Sequence, residues 1–146
     1  MLEPAATRSR IILGKIAGHT FTSQLPAQVC GKCGEVFFSS RVVAAFDMRV
    51  AGALLEAGET TGEALRYIRK VAGIAAAELA DLLAVRAETI SRWENNKRPI
   101  DRGSYAVLRQ LVLDRLHGST ATADYLRSLR RPRKLPLRVK IESRAA

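Results

Sequence analysis

Long apolar runs are missing from this chain. No stretch approaches the roughly 18 consecutive apolar residues of a membrane-spanning helix, so no membrane partner is expected. Near Met1 there is no charged start followed by an apolar run and a small-residue cleavage site, so no signal peptide is expected and the cytoplasm is the default location. Cysteine is scarce. The only two, Cys30 and Cys33, lie close together, and in the cytoplasm such a pair is more often a metal site than a structural disulfide. Aromatic residues make up only 5% and form no stacking platform, which counts against an RNA-binding ribbon. A nucleophile–base constellation and a phosphate-cradling glycine loop are both absent, so the chain is expected to be a non-enzyme. A redox enzyme built on Cys30 and Cys33 is disfavoured as well, because the pair follows an extended segment without the strand-to-helix context of a thioredoxin-like site.

What the chain does have is positive charge. Its 146 residues suit one domain or two small ones, and an apolar fraction of 47% is enough to bury a core. The formal net charge is +10. It is unevenly placed: residues 1–58 carry +2, residues 59–118 carry +2, and residues 119–146 carry +6. Such an excess points to a polyanionic partner, nucleic acid or an anionic membrane surface.

Along the chain, the segment from Arg10 to Val29 alternates like strand, with Ile11, Leu13 and Ile16 near Gly14 and Gly18. A turn follows around Cys30-Gly-Lys-Cys33-Gly-Glu. Ser39 or Ser40 then reads as an N-cap, and Val43, Phe46, Val50 and Leu54 make one helical stripe. Residues 58–62 form a short linker and the boundary between two parts. Four helices fit the next stretch. Leu65, Ile68 and Ala72 face inward from the first, which Gly73 ends. Ala76, Leu79, Ala80 and Leu83 line the second. Ile90 and Trp93 hold the third, which starts near Ala87 and stops at Asn95-Asn96, where asparagine tolerates a left-handed cap. Tyr105, Leu108, Leu111 and Val112 line the fourth. A shorter helix fits residues 119–129. Residues 137–142 alternate like an edge strand and equally fit a disordered tail. The expected fold is therefore mainly α with a small β N-terminal part, divided into residues 1–58, 59–118 and 119–146.

Only about three residues, 84–86, separate the second and third of those four helices. So short a connection forces a steep crossing and leaves the later helix free to enter a major groove. Arg69 and Glu94 both fall at inward positions, where they are expected to pair, since either alone would be strongly destabilising.

Residues 65–99 resemble the lambda-repressor-like, or XRE, helix-turn-helix family. The likeness rests on Leu65-x-x-Ile68-Arg69, Gly73-Ile74, Glu78-Leu79-Ala80, Leu83-x-Val85, Thr89-Ile90-Ser91-Arg92-Trp93-Glu94-Asn95 and Arg98-Pro99. The resemblance implies a four- to five-helix domain that reads bases with the outward face of its third helix, here Arg86, Ala87, Glu88, Ser91 and Arg92. An arginine such as Arg92 can grip guanine O6 and N7 with two hydrogen bonds. Glu88, one turn earlier, can orient Arg92 or accept from a cytosine amine. Lys97 and Arg98 suit phosphate contacts that set register. Two positions depart from the family pattern. Ala75-Ala76-Ala77 stands where a polar cap and a glutamine usually touch phosphate, and Ala84 stands where the sharp turn usually has glycine.

The segment Leu25-Pro-Ala-x-Val-Cys30-x-x-Cys33-Gly-Glu, followed by a helix and the helix-turn-helix, also resembles the MqsA (YgiT)-type antitoxins. That resemblance implies a zinc-binding N-terminal part, with Cys30 and Cys33 as ligands of Zn2+, and a cognate toxin as protein partner. It further implies a homodimer that represses its own toxin–antitoxin operon at an inverted repeat of double-stranded DNA. The family's earlier C-x-x-C pair is missing, so the remaining zinc ligands must come from elsewhere, His19 or a second subunit. The leading expectation is thus a dimeric, sequence-specific transcriptional repressor. The alternative is a protein-interaction module whose N-terminal part binds a toxin or other partner, with DNA binding secondary. The cluster Arg127, Arg130, Arg131, Arg133, Lys134, Arg138 and Lys140 is expected to act as a flexible tail touching phosphates, because Pro132 and Pro136 oppose one rigid helical face.

Overall fold

The computed structural model describes residues 6–143, with residues 6–9 described by their backbone alone. The chain opens with a long hairpin, β1 (Ala6–Ile16) against β2 (His19–Val29), in unbroken antiparallel register from Ala6–Val29 to Ile16–His19. Its turn has only two residues, Ala17 and Gly18, at φ 50° and 79°. Positive φ at both is the type I′ geometry, whose twist matches that of the strands it joins. A two-residue β3 (Val36–Phe37) completes a three-stranded sheet in the order β1-β2-β3. Period-two alternation sorts the side chains. Ile12, Ile16, Phe21 and Leu25 pack inward against the helices, and Ile11 and Leu13 face out. The strand-like reading of residues 10–29 thus becomes a hairpin.

Six helices follow. α1 (Ser40–Glu56) begins at Ser39, whose hydroxyl accepts the Val42 amide at 3.2 Å. Phe46, Val50 and Leu54 of its expected stripe are buried, together with Ala51 and Leu55, while Val43 is half-buried. α2 (Gly62–Val71) is capped by Thr61, and the chain leaves it through Gly73. α3 (Ala76–Leu82) and α4 (Ala87–Glu94) are joined by the short turn expected from the sequence. On α3 the third large apolar contact is Leu82, not Leu83: the helix stops at Leu82, so Leu83 sits at its end and is only half-buried. α5 (Arg102–Leu116) starts at Asp101, whose carboxylate accepts the Ser104 amide at 2.9 Å. That amide holds the Asp101 pKa below the usual carboxylate value. α6 (Ala121–Ser128) is short and contributes no fully buried residue. Beyond it, residues 137–142 form no strand and stay exposed. Pro132 and Pro136 break the run leading to them, and no neighbouring strand gives the alternation a face to bury.

One apolar core joins α1 through α5, with Ile68, Ile90, Leu108 and Val112 at its centre. Each such side chain contributes roughly 1.5–3 kcal/mol on burial. It reaches across the 58–62 linker, since Phe46, Val50 and Leu54 of α1 meet the residues of α2 and α5. Two tyrosines tie this seam. Tyr67 donates to Asp47 Oδ1 at 2.8 Å, and Tyr105 donates to the Glu59 carbonyl at 2.9 Å. Burial, with Asp47 beside it, pushes the Tyr67 pKa up, and burial does the same for Tyr105. No helix among the described residues is long and apolar enough to cross a membrane.

The polar interaction inside this core is the pair anticipated from the sequence. Arg69 Nε and Nη2 donate to Glu94 Oε1 and Oε2 at 2.5 and 3.2 Å, with the two side chains only 11% and 8% exposed. Arg69 Nη1 also donates to the Ile74 carbonyl at 3.1 Å. Glu94→Ala is expected to lower stability by about 3–5 kcal/mol, because it strands the guanidinium. The Arg69→Met/Glu94→Leu double variant should recover most of that loss. Urea unfolding of both variants checks the pair: a Glu94→Ala midpoint equal to wild type would mean the charges are solvated.

Candidate nucleic-acid interface

α4 is held from one side. Ile90 and Trp93 enter the core, while Arg86, Ala87, Glu88, Ser91 and Arg92 are all exposed on the other face. The residues named from the sequence are therefore brought together on one surface. Their neighbours past the helix end are brought there too. Asn96 takes a left-handed φ of 56°, which lets the Lys97 amide reach back to the Arg92 carbonyl at 2.8 Å and the Asn96 amide to the Trp93 carbonyl at 3.3 Å. This Schellman-type closure folds Lys97 and Arg98 back beside Arg92, and both are exposed. One expected link is not made. Among the described residues no ion pair joins Glu88 to Arg92, so the two present separate charges to solvent.

The back of α4 depends on residues that periodicity did not single out. Gly62, the first residue of α2, lies so close to the end of α4 that a Cβ there would stand 2.2 Å from the Glu94 carbonyl oxygen. Only glycine allows this approach. Its amide donates to Asn96 Oδ1 at 2.8 Å, which holds the left-handed residue in place. Asn95 bridges in parallel. Its Nδ2 donates to the Ser91 carbonyl at 2.8 Å and to Ser91 Oγ at 3.2 Å, while its Oδ1 accepts from Arg66 Nη2 at 3.2 Å. Arg66 Nε also lies 3.5 Å from Glu94 Oε2. With one lone pair of Ser91 Oγ occupied from behind, its O–H is left to donate outward. A glycine at the end of a linker reads as a turn, so the role of Gly62 carried no sequence signal. Asn95 and Asn96 were legible only as a helix stop.

The turn entering α4 carries strain. Ala84 adopts φ 54°, the left-handed region that a Cβ disfavours by about 1–2 kcal/mol. The alanine therefore accepts the geometry for which glycine is the usual residue. The Val85 amide, bonded to the Ala80 carbonyl at 2.9 Å, secures it. The N-terminus of α3 departs from the family pattern as its sequence does. Ala75 is its N-cap and makes no side-chain bond there, so that end offers only backbone amides.

Part of the C-terminal basic cluster is tied down. Arg127 meets Glu78 at 3.1 Å and Asp124 at 3.6 Å, and Arg130 pairs with Asp81, so the acids of α3 engage these two. Arg131, Arg133, Lys134, Arg138 and Lys140 are exposed and make no ion pair among the described residues.

The cysteine knuckle is a separate feature. The Cys30 amide donates to the Glu35 carbonyl at 2.8 Å and the Gly34 amide to the Cys30 carbonyl at 3.0 Å, closing a tight loop. Backbone amides of Cys33 and then Lys32, together with the Cys33 thiol, draw the Cys30 pKa below the usual thiol value. Tetrahedral zinc needs four donors, and among the described residues no cluster of three histidine, cysteine or acidic side chains exists. His19 is not a third ligand. It begins β2 while Cys30 follows its end, roughly 35 Å away at strand rise, and its Nε2 faces Glu59 Oε2 at 3.5 Å. The described residues of one chain therefore do not fit a complete zinc site.

Compared with known families, characterised proteins and solved structures, the chain matches none. Its function is argued from the site alone. For the turn, Ala84→Gly is expected to raise stability by about 0.5–1 kcal/mol, the relief of left-handed strain less the added glycine entropy. Calorimetry checks it; a lower melting temperature would mean that Ala84 is not left-handed in solution.

Proposed function

We propose that this chain is a sequence-reading DNA-binding protein, a repressor with a helix-turn-helix of the lambda-repressor-like kind formed by α3 and α4. One observation carries the reading: α4 is clamped from behind by Arg69–Glu94 and Gly62–Asn96, while Arg86, Glu88, Ser91 and Arg92 stand exposed in front. A helix fixed in this way can lie in a major groove without rearranging. Arg92 then reads guanine through O6 and N7, and the Ser91 hydroxyl donates to an acceptor at the neighbouring base edge. Glu88 accepts from a cytosine amine and repels a base edge that offers only acceptors. Lys97 and Arg98, folded beside the helix end, neutralise phosphates and set register.

The same resemblance extends the proposal to a dimer on an inverted repeat and to an antitoxin repressing its own operon, with a toxin held by residues 1–58. A small toxin gene beside this one would support that extension. The reaction to test first is binding itself. In a gel shift against the DNA upstream of its own gene, Arg92→Ala is expected to cost about 1–3 kcal/mol and to relax preference at one base pair per half-site. Unchanged affinity and unchanged preference would mean that another face enters the groove. Removing residues 131–146 leaves the Arg127 and Arg130 pairs intact and deletes the remaining exposed cations. It should weaken binding to all sequences alike and flatten the dependence of log K on log salt. A full-length salt slope in the truncated chain would show that the tail never meets phosphate.

A further inference from the structure

The two long edges of the hairpin are unlike. The β2 edge is covered by β3 at Gln28 and Val29 and carries Pro26 beyond it. Proline has no N–H to offer an added strand. The β1 edge has no such protection. Its register is continuous, hence without a bulge, and it contains no proline. Among the described residues no strand pairs with it. Natural sheets rarely leave an edge this long and regular without a use.

The turn decides which backbone groups face outward. In a two-residue type I′ hairpin the flanking residues, here Ile16 and His19, exchange both hydrogen bonds. Alternation then assigns the inward bonds to Gly14–Phe21, Ile12–Ser23 and Arg10–Leu25. Pro26 falls opposite Ser9 in a non-bonded pair, consistent with its missing N–H. The N–H and C=O groups of Ser9, Ile11, Leu13 and Lys15 consequently point along the open edge. On the outer face the Ile11 and Leu13 side chains are 65% and 58% exposed.

We propose that this edge joins two copies of the chain, β1 pairing antiparallel with β1 of a second copy about a two-fold axis at Ile12. Hydrogen bonding requires odd-numbered residues to meet odd-numbered ones. Centring on Ile12 satisfies this and sets Ile11 opposite Leu13 of the second copy, twice over, which closes a four-residue apolar patch. It also sets Arg10 opposite Gly14, Lys15 opposite Ser9 and Arg8 opposite Ile16, so no cation faces a cation. Neighbouring symmetric registers lose this match. Centred on Ile11, Leu13 faces Ser9; centred on Leu13, Ile11 faces Lys15. The pairing merges two hairpins into one wider sheet, which a two-stranded ribbon needs for stability of its own. It also supplies the two-fold symmetry that an inverted repeat demands, yet it requires no DNA.

Sedimentation of the full chain without DNA tests the interface. Wild type should run as a dimer in the micromolar range. Leu13→Pro removes one outward N–H and leaves the ladder to β2 whole, so it should halve the mass with an unchanged circular dichroism spectrum. If Leu13→Pro loses that spectrum, Ile11→Thr/Leu13→Thr takes its place with the same expectation. Across the two-fold axis, Ile12 faces Ile12 in a non-bonded pair with Cα atoms about 4.5 Å apart, within reach of a disulfide. Ile12→Cys in a Cys30→Ser/Cys33→Ser background should therefore oxidise to a covalent dimer. A monomeric wild type overturns the proposal, as does a dimer that survives every β1 variant. So does a dimer that dissolves only when residues 131–146 are removed, which would place the interface in the tail. A wild type that stays monomeric but captures a separate protein through this edge overturns it too. A dimer that dissolves in Leu13→Pro but binds no DNA would leave this interface standing and sink the DNA reading.

Discussion

The arrangement of this chain depends on two opposite charges taken out of water together. Arg69 of α2 and Glu94 of α4 form a two-pronged pair at the heart of an otherwise apolar core, and the third guanidinium nitrogen closes on the Ile74 carbonyl. A pair of this kind adds little net stability, because desolvation offsets most of the attraction. What it adds is uniqueness. Rotating α4 by one residue would swing Glu94 by about 100° and leave a buried guanidinium without its partner. That penalty fixes which side of α4 faces the core, and therefore which side chains it presents to solvent.

Around that pair the remaining contacts are close-range and geometric. Gly62 lets α2 begin against the last carbonyls of α4, and Asn96 both turns the chain and accepts the Gly62 amide. Asn95 joins Ser91 to Arg66. The seam between α1 and the later helices is held mainly by apolar packing, with Tyr67 and Tyr105 satisfying backbone and carboxylate groups along it. The inner face of the hairpin continues the same surface, where Phe46 of α1 packs within 3.5 Å of the Gly14 position.

Much of this was legible in the sequence, and the reasons are physical. Helices with one apolar stripe announce themselves by period, so the six helices and most of their inward residues followed from spacing. Caps announce themselves by chemistry, as Ser39 did. The Arg69–Glu94 pair was readable because each charge fell at an inward position, where a lone charge is untenable. Other features left no such trace. Leu82 and Leu83 both fit a stripe, and only the point where α3 ends separates them. Which face of the hairpin is buried depends on tertiary packing, because Ile11, Ile12 and Leu13 are consecutive and all apolar. Gly62 looked like a linker glycine, since the need for closeness lies in a carbonyl far away in sequence. Residues 137–142 carry the pattern of a strand, but a pattern forms a strand only where a neighbour offers backbone groups to pair with. His19 and the cysteines lay near enough in sequence to suggest one site, yet an extended strand turns sequence proximity into distance.

The two ends of α4 are held very differently, and this has a bearing on its motions. Its last turn is locked by a left-handed closure, an amide bridge and the buried ion pair, while its first turn follows Arg86, an N-cap without a side-chain bond. Opening free energy should therefore rise along the helix, from a fraying start near Ala87 to a rigid finish at Glu94. Such a gradient makes the helix a cantilever. Its fixed end defines a direction, and its loose end retains conformational entropy that a docking surface must quench. Adjustment to an imperfect fit is then confined to the first turn, at small cost, and does not spread into the core behind it.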